Sequence, residues 1–134
     1  MTLNENVAVA LPPADFAEAD RGLVSIAQRA VVAAGVPLRR GASWTTDAPF
    51  RETAAALETA RTHGILAVEM EAAALYAFAF AQRRSVVCFA HVTNAIGRAE
   101  RNFEKGQAAG TTEALKIIAA TAEAHAARAG LEAR

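Results

Sequence analysis

The chain has 134 residues, 53% hydrophobic and 21% charged, a composition that suits one folded domain able to bury roughly two thirds of its unfolded surface. Fourteen Lys and Arg balance fourteen Asp and Glu, so no net field draws it toward nucleic acid or an anionic membrane, and neither is expected as a partner. The single cysteine, Cys88, excludes an internal disulfide and, within an apolar run, is expected to be a buried thiol in a reducing cytoplasm.

Met1 to Asn6 carries no basic residue before a short apolar stretch, which argues against a signal peptide. The longest apolar stretch, Ala72 to Ala81, is too short for the roughly 20 residues of a membrane span. Val7 to Leu11, stopped by Pro12 and Pro13, reads as the tail of a strand. From Asp15 the apolar positions Phe16, Leu23, Ile26, Ala27, Ala30, Val31 and Ala34 predict an amphipathic helix that Gly35 ends. Val36 to Trp44 reads as extended and leads into a polar loop, Thr45 to Phe50. Arg51 to His63 returns to helix and Gly64 closes it. Ile65 to Val68 is a short buried strand, Glu71 to Arg84 an alanine-rich helix, and Ser85 to Thr93 a β-rich run expected at the centre of a parallel sheet. Thr111 to Ala129 is a terminal helix. No repeat or linker divides the chain, which reads as a single domain over residues 1–134.

Strands alternating with helices predict an α/β fold with parallel strands. In open sheets of this kind ligands sit beyond the carboxyl ends of the strands, so the residues after Val68 and Val92 are the first candidates for a site. After Val68 stand two carboxylates around a methionine, Glu69-Met70-Glu71, where a buried strand turns into a helix. An acidic residue in a first helical turn is equally read as a partner of the helix dipole. Glu69, however, ends an apolar strand, where a carboxylate is costly to bury without partners, and two such groups invite a polar ligand.

The segment Val68-Glu69-Met70-Glu71 resembles the V-E-M-E hallmark of the nucleoside phosphorylases, the family of purine nucleoside and uridine phosphorylases. The loop Trp44 to Thr53 looks like that family's approach to the base pocket, and Val87 to Asn94 like the strand and loop beside the base. The resemblance runs from about Pro12 to Ala127. It implies a three-layer α/β/α nucleoside phosphorylase-like fold, present as its carboxy-terminal part, and a pentosyltransferase that converts a nucleoside and phosphate to free base and ribose 1-phosphate without a further cofactor.

By that resemblance Glu71 binds the ribose hydroxyls, Met70 packs against the sugar, and Glu69 belongs to the same ribose site. The chemistry is sound: an ionised carboxylate accepts from two neighbouring hydroxyls, and a nearby negative charge favours an oxocarbenium-like sugar. Asn94 falls where purine-specific relatives carry a catalytic aspartate; an amide is no general acid at neutral pH, though it hydrogen-bonds a base. A loop-stabilising Asn94 is an equal reading. Trp44 and Phe50 are candidates to stack on the base, with packing as the alternative, and Arg51 is the candidate to read a pyrimidine. His91 reads as a satisfied core or near-site histidine, His63 and His125 as solvent-facing, and no cluster has metal-ligand spacing.

The family's phosphate site looks to be built from an amino-terminal half, with a glycine-rich turn, an arginine and a Ser or Thr that have no counterpart here. Turnover is therefore expected to need that half, and partnership with it or with further copies of this chain follows from a sheet short of neighbours. A nucleoside hydrolase and a non-catalytic nucleoside-binding protein are the alternatives.

Overall fold

The computed structural model describes residues 16–48, 53–93 and 110–132. The expected strand at Val7 to Leu11 lies outside them. Among the described residues, those of Met1–Leu23 and Gly41–Cys88 form one compact unit, and those of Val24–Arg40 and Phe89–Arg134 another. The elements in chain order are α1 (Arg21–Ala33), β1 (Ala42–Thr45), α2 (Ala54–Thr62), β2 (Ile65–Glu69), α3 (Ala72–Gln82) and α4 (Thr111–Glu132). Helices around a small parallel sheet make the chain α/β. No described helix is long and apolar enough to cross a membrane.

Helix α1 starts later than its apolar periodicity predicts. Asp20 precedes the helix and its Oδ1 accepts from Leu23 N–H at 2.7 Å, the bond of an N-capping side chain, so Phe16 is left outside the helix and exposed. Ile26, Ala27 and Val31 form the buried face of α1. Gly35 ends it as the sequence predicts: with φ of 71° it adopts the left-handed geometry glycine tolerates, and Val36 N–H returns to Val31 O at 3.3 Å.

β1, α2 and β2 form a βαβ unit in the first compact unit, with β1 and β2 paired in parallel. α2 begins after Thr53, whose Oγ1 accepts from Ala56 N–H at 3.1 Å, and packs on β2; α3 packs on β1. The pairing Ala42 with Ile65, then Ser43 with Ala67, Trp44 with Val68 and Thr45 with Glu69, leaves Leu66 as an extra residue in β2. Gly41 faces this bulge. A Cβ there would stand 2.2 Å from Leu66 Cδ1, so the absent side chain makes room for the extra residue.

The extended reading of Val36 to Trp44 narrows to the four-residue β1, matched to a β2 of five residues. Ser85 to Thr93 is not a strand among the described residues. Its backbone has no ladder partner among the described residues; Cys88 N–H donates to the Tyr76 hydroxyl at 3.2 Å, and Ser85 Oγ donates to Asp20 Oδ2 at 2.8 Å. Strand propensity is realised only against a neighbour, and these contacts are to helix α3 and the start of α1. Cys88 is half-buried. Burial and the adjacent Cys88 thiol push the Tyr76 hydroxyl above its ordinary range.

Helix α3 closes on Arg83, a non-glycine residue in the left-handed region (φ 51°, ψ 47°), with Arg84 N–H bonded to Ala79 O at 2.8 Å. A Cβ in this conformation costs roughly 1 kcal/mol that glycine does not incur. Arg83→Gly is expected to raise unfolding free energy by about 0.5–1 kcal/mol despite glycine's larger chain entropy, measured by urea denaturation. A lower midpoint in the variant would contradict this account of the helix end.

Candidate functional site

The end of β2 and the start of α3 are joined by a two-residue bend, Met70-Glu71, and four donors around that bend converge on Glu69. Residues alternate faces along a strand, so Ser43 and Thr45 share one face of β1 and Trp44 the other. Ser43 Oγ donates to Glu69 Oε1 at 3.2 Å, and the Thr45 hydroxyl donates to the same oxygen. The second oxygen, Oε2, accepts from Glu71 N–H at 2.7 Å and Ala72 N–H at 2.6 Å. Thr45 Oγ1 in turn accepts from Ala73 N–H at 3.0 Å.

The first N–H groups of α3 have no partners within the helix, and Glu69 and Thr45 supply them from outside. This is N-capping by a residue that lies ahead of the cap position: Glu71 occupies that position, yet its own side chain makes no capping bond. Burial opposes ionisation of Glu69, but the donors of Thr45, Ala72, Glu71 and Ser43 outweigh it and hold its carboxyl below 4.5.

Glu71 presents a different environment. It is exposed, and the bond its carboxylate receives is from Met70 N–H at 3.3 Å, long for such a bond. Met70 is 48% exposed beside it. A half-exposed thioether and an accessible carboxylate at a strand-to-helix turn form a small amphipathic platform: an apolar floor and an acceptor-only edge. Among the described residues, Glu69 has its oxygens taken by the protein's own donors, whereas Glu71 has acceptor capacity to spare.

The phosphorylase superfamily matches residues 2–129. The chain belongs to that superfamily. No curated protein and no solved structure matches it. The Val68 to Glu71 segment of this phosphorylase-superfamily chain lies at the carboxyl end of a parallel strand, where the sequence predicts a strand turning into a helix.

Of the residues singled out from sequence, Glu69, Met70 and Glu71 come together at this turn. Trp44 lies on the same strand as Thr45 but points to the opposite face of the sheet, paired with Val68. Phe50, Arg51 and Asn94 lie outside the described residues. His91 is exposed rather than in a core, its ring packed against Gly110, where a Cβ would meet it at 2.7 Å. His63 and His125 are exposed, and His63 Nδ1 donates to Thr59 O at 2.8 Å. Among the described residues no group of three His, Cys, Asp or Glu is placed to hold a metal ion.

The sequence reading passed over Ser43 and Thr45. Their signal was the two-residue spacing of hydroxyls on either side of Trp44, which puts both on one strand face. An open cleft of about 670 Å³, lined by Asp20, Phe80, Arg83, Arg84 and Ser85 among others, lies at the other end of α3. Ala79, the first residue of α3 to line it, stands eight residues on from Glu71, roughly 12 Å of helical rise, so concavity and carboxylate chemistry do not coincide here.

The Glu69 cluster makes stability pH-dependent in a defined direction. Its folded value lies below 4.5, so the ionised carboxylate stabilises the fold at pH above 4.5, and this contribution is lost as pH falls from there through the folded value. Glu69→Gln is expected to lower the thermal midpoint at pH 7 and to flatten its decline below pH 4.5, followed by circular dichroism. Parallel acid profiles for the two proteins would remove Glu69 as the source.

Proposed function

We propose that this chain acts in nucleoside phosphorolysis, holding the ribose of a nucleoside at the turn between β2 and α3. Phosphate oxygen bonds to the anomeric carbon, the bond from that carbon to the base nitrogen breaks, and its electron pair leaves with the base, which takes up a proton. Ribose 1-phosphate and free base are the products. The observation that carries the reading is the contrast between the two carboxylates: among the described residues Glu69 is committed to four internal donors, and Glu71 stands exposed with one long bond from Met70 N–H.

In this reading the Glu71 oxygens accept from the two ribose hydroxyls, and Met70 lies under the apolar face of the sugar. The negative charge beside the ring favours the positive charge that develops as the glycosidic bond stretches. Trp44, Phe50, Arg51 and Asn94 are the proposed base contacts on the strength of the family resemblance. Phosphate is a dianion that Glu71 repels, so the proposal gives its capture to a further segment or partner chain with fixed cations and backbone donors, as the resemblance implies. Assembly with such a partner brings phosphate and nucleoside to one centre, which is the entropic part of the catalysis.

Glu71→Gln is expected to weaken binding of inosine or uridine by about tenfold or more, since an amide replaces an acceptor by a donor, while the thermal midpoint stays within about a degree of wild type. Glu69→Gln is expected to behave the other way, losing stability first. Calorimetric titration and thermal melts of the two variants separate the roles. Equal loss of affinity without loss of stability in both would defeat the assignment.

A further inference from the structure

We infer that Thr45 is a positioning residue for the ribose-binding turn: its hydroxyl, bonded to both Glu69 and the amide of Ala73, holds the Glu71 carboxylate in the orientation that meets a vicinal diol. The inference rests on the proposed role of Glu71 and adds to it a residue that touches no substrate.

Three elements meet at one oxygen. Thr45 is the last residue of β1, Glu69 the last of β2, and Ala73 lies in the first turn of α3. The Thr45 hydroxyl donates its proton to Glu69 Oε1 and accepts from Ala73 N–H at 3.0 Å. Only a group that is donor and acceptor at once fills this place, because the carboxylate oxygen needs a proton and the amide needs a lone pair. A carboxylate in its stead would face Glu69 with like charge, and an alkyl group would leave both partners unmet.

The connection to Glu71 runs through its own backbone. Glu69 Oε2 accepts from Glu71 N–H at 2.7 Å and from Ala72 N–H at 2.6 Å, so the carboxylate that Thr45 grips on one oxygen grips the peptide of Glu71 on the other. Glu71 stands between β2 and α3 with φ −133° and ψ −27°, outside the helical range, and its side chain makes no bond that fixes its own direction beyond the long one from Met70 N–H. The direction of its Cα–Cβ bond is therefore set by the two flanking anchors: the Glu69 carboxylate before it and the Ala72 and Ala73 amides after it. Ser43 adds a fourth donor to Glu69 at 3.2 Å, but its hydroxyl does not bridge to α3.

The isosteric Thr45→Val variant removes both bonds with little change of volume, and Thr45→Ser retains both. The readout is the affinity for uridine relative to 2′,3′-dideoxyuridine, which lacks the diol. Wild type is expected to favour uridine by at least about tenfold. In Thr45→Val that ratio is expected to fall toward one while dideoxyuridine affinity holds within about threefold, and Thr45→Ser is expected to restore the ratio. A purely structural role lowers both affinities together and leaves the ratio alone; that result overturns the inference and leaves the role of Glu71 standing. Wild type that fails to discriminate the two nucleosides overturns the Glu71 reading and this inference with it. Should Thr45→Val not fold, Thr45→Ala and Ser43→Ala are compared by amide exchange at Glu71, Ala72 and Ala73 and by the ratio of uridine to dideoxyuridine affinity. Faster exchange with a fallen ratio in Thr45→Ala but not in Ser43→Ala supports the inference, and equal behaviour of the two variants overturns it.

Discussion

A single carboxylate organises the part of this chain that bears on function. Glu69 takes donors from two hydroxyls of the neighbouring strand and two amides at the start of the following helix, and so ties together β1, β2 and α3. Charge-assisted bonds of this kind are each worth about 1.5–3 kcal/mol in favourable settings, and in a half-exposed site solvent takes part of that away. What survives is geometric. The bonds fix where β1 ends against β2 and where α3 departs, and the bend between them holds its shape because its amides are spoken for.

The neighbouring carboxylate shows how strongly position divides like residues. Glu69 and Glu71 are two residues apart, identical in chemistry, and both near the positive end of α3. One turns inward to satisfy the backbone, and its ionised form stabilises the fold; the other faces solvent and, among the described residues, holds only a long bond from Met70 N–H. A carboxylate that had to cap its own helix would offer fewer lone pairs to a sugar. Separating the two tasks lets the chain keep a helix start intact while leaving a charged edge open, a division that suits a member of the phosphorylase superfamily.

Much of this was legible in the residues, and the lapses have physical causes. The helix ends at Gly35 and Gly64 were readable because positive φ belongs to glycine, while the end of α3 at Arg83 was not, since an arginine seldom adopts that conformation. The start of α1 was placed too early because Phe16 fits the apolar period, yet Asp20 supplies the capping bond and settles the boundary. Ser85 to Thr93 has every mark of a buried strand, but propensity names a preference and not a partner, and its donors went to Tyr76 and Asp20. The Val68 to Glu71 motif pointed to the right turn. What it did not reveal was that Glu69 looks inward, because that depends on Ser43 and Thr45, more than twenty residues away along the chain.

The extra residue in β2 bears on all of this. Had the pairing of Ala42 with Ile65 continued without interruption, Thr45 would stand opposite Val68, and an isopropyl group would occupy the place of the carboxylate. The bulge at Leu66, for which Gly41 leaves space, advances β2 by one residue and brings Glu69 into register. The chemistry of the turn is thus counted out along the strand before it is built from side chains: a further one-residue insertion between Ile65 and Val68 would preserve the whole V-E-M-E signature in the sequence and yet put its first glutamate out of step with both hydroxyls.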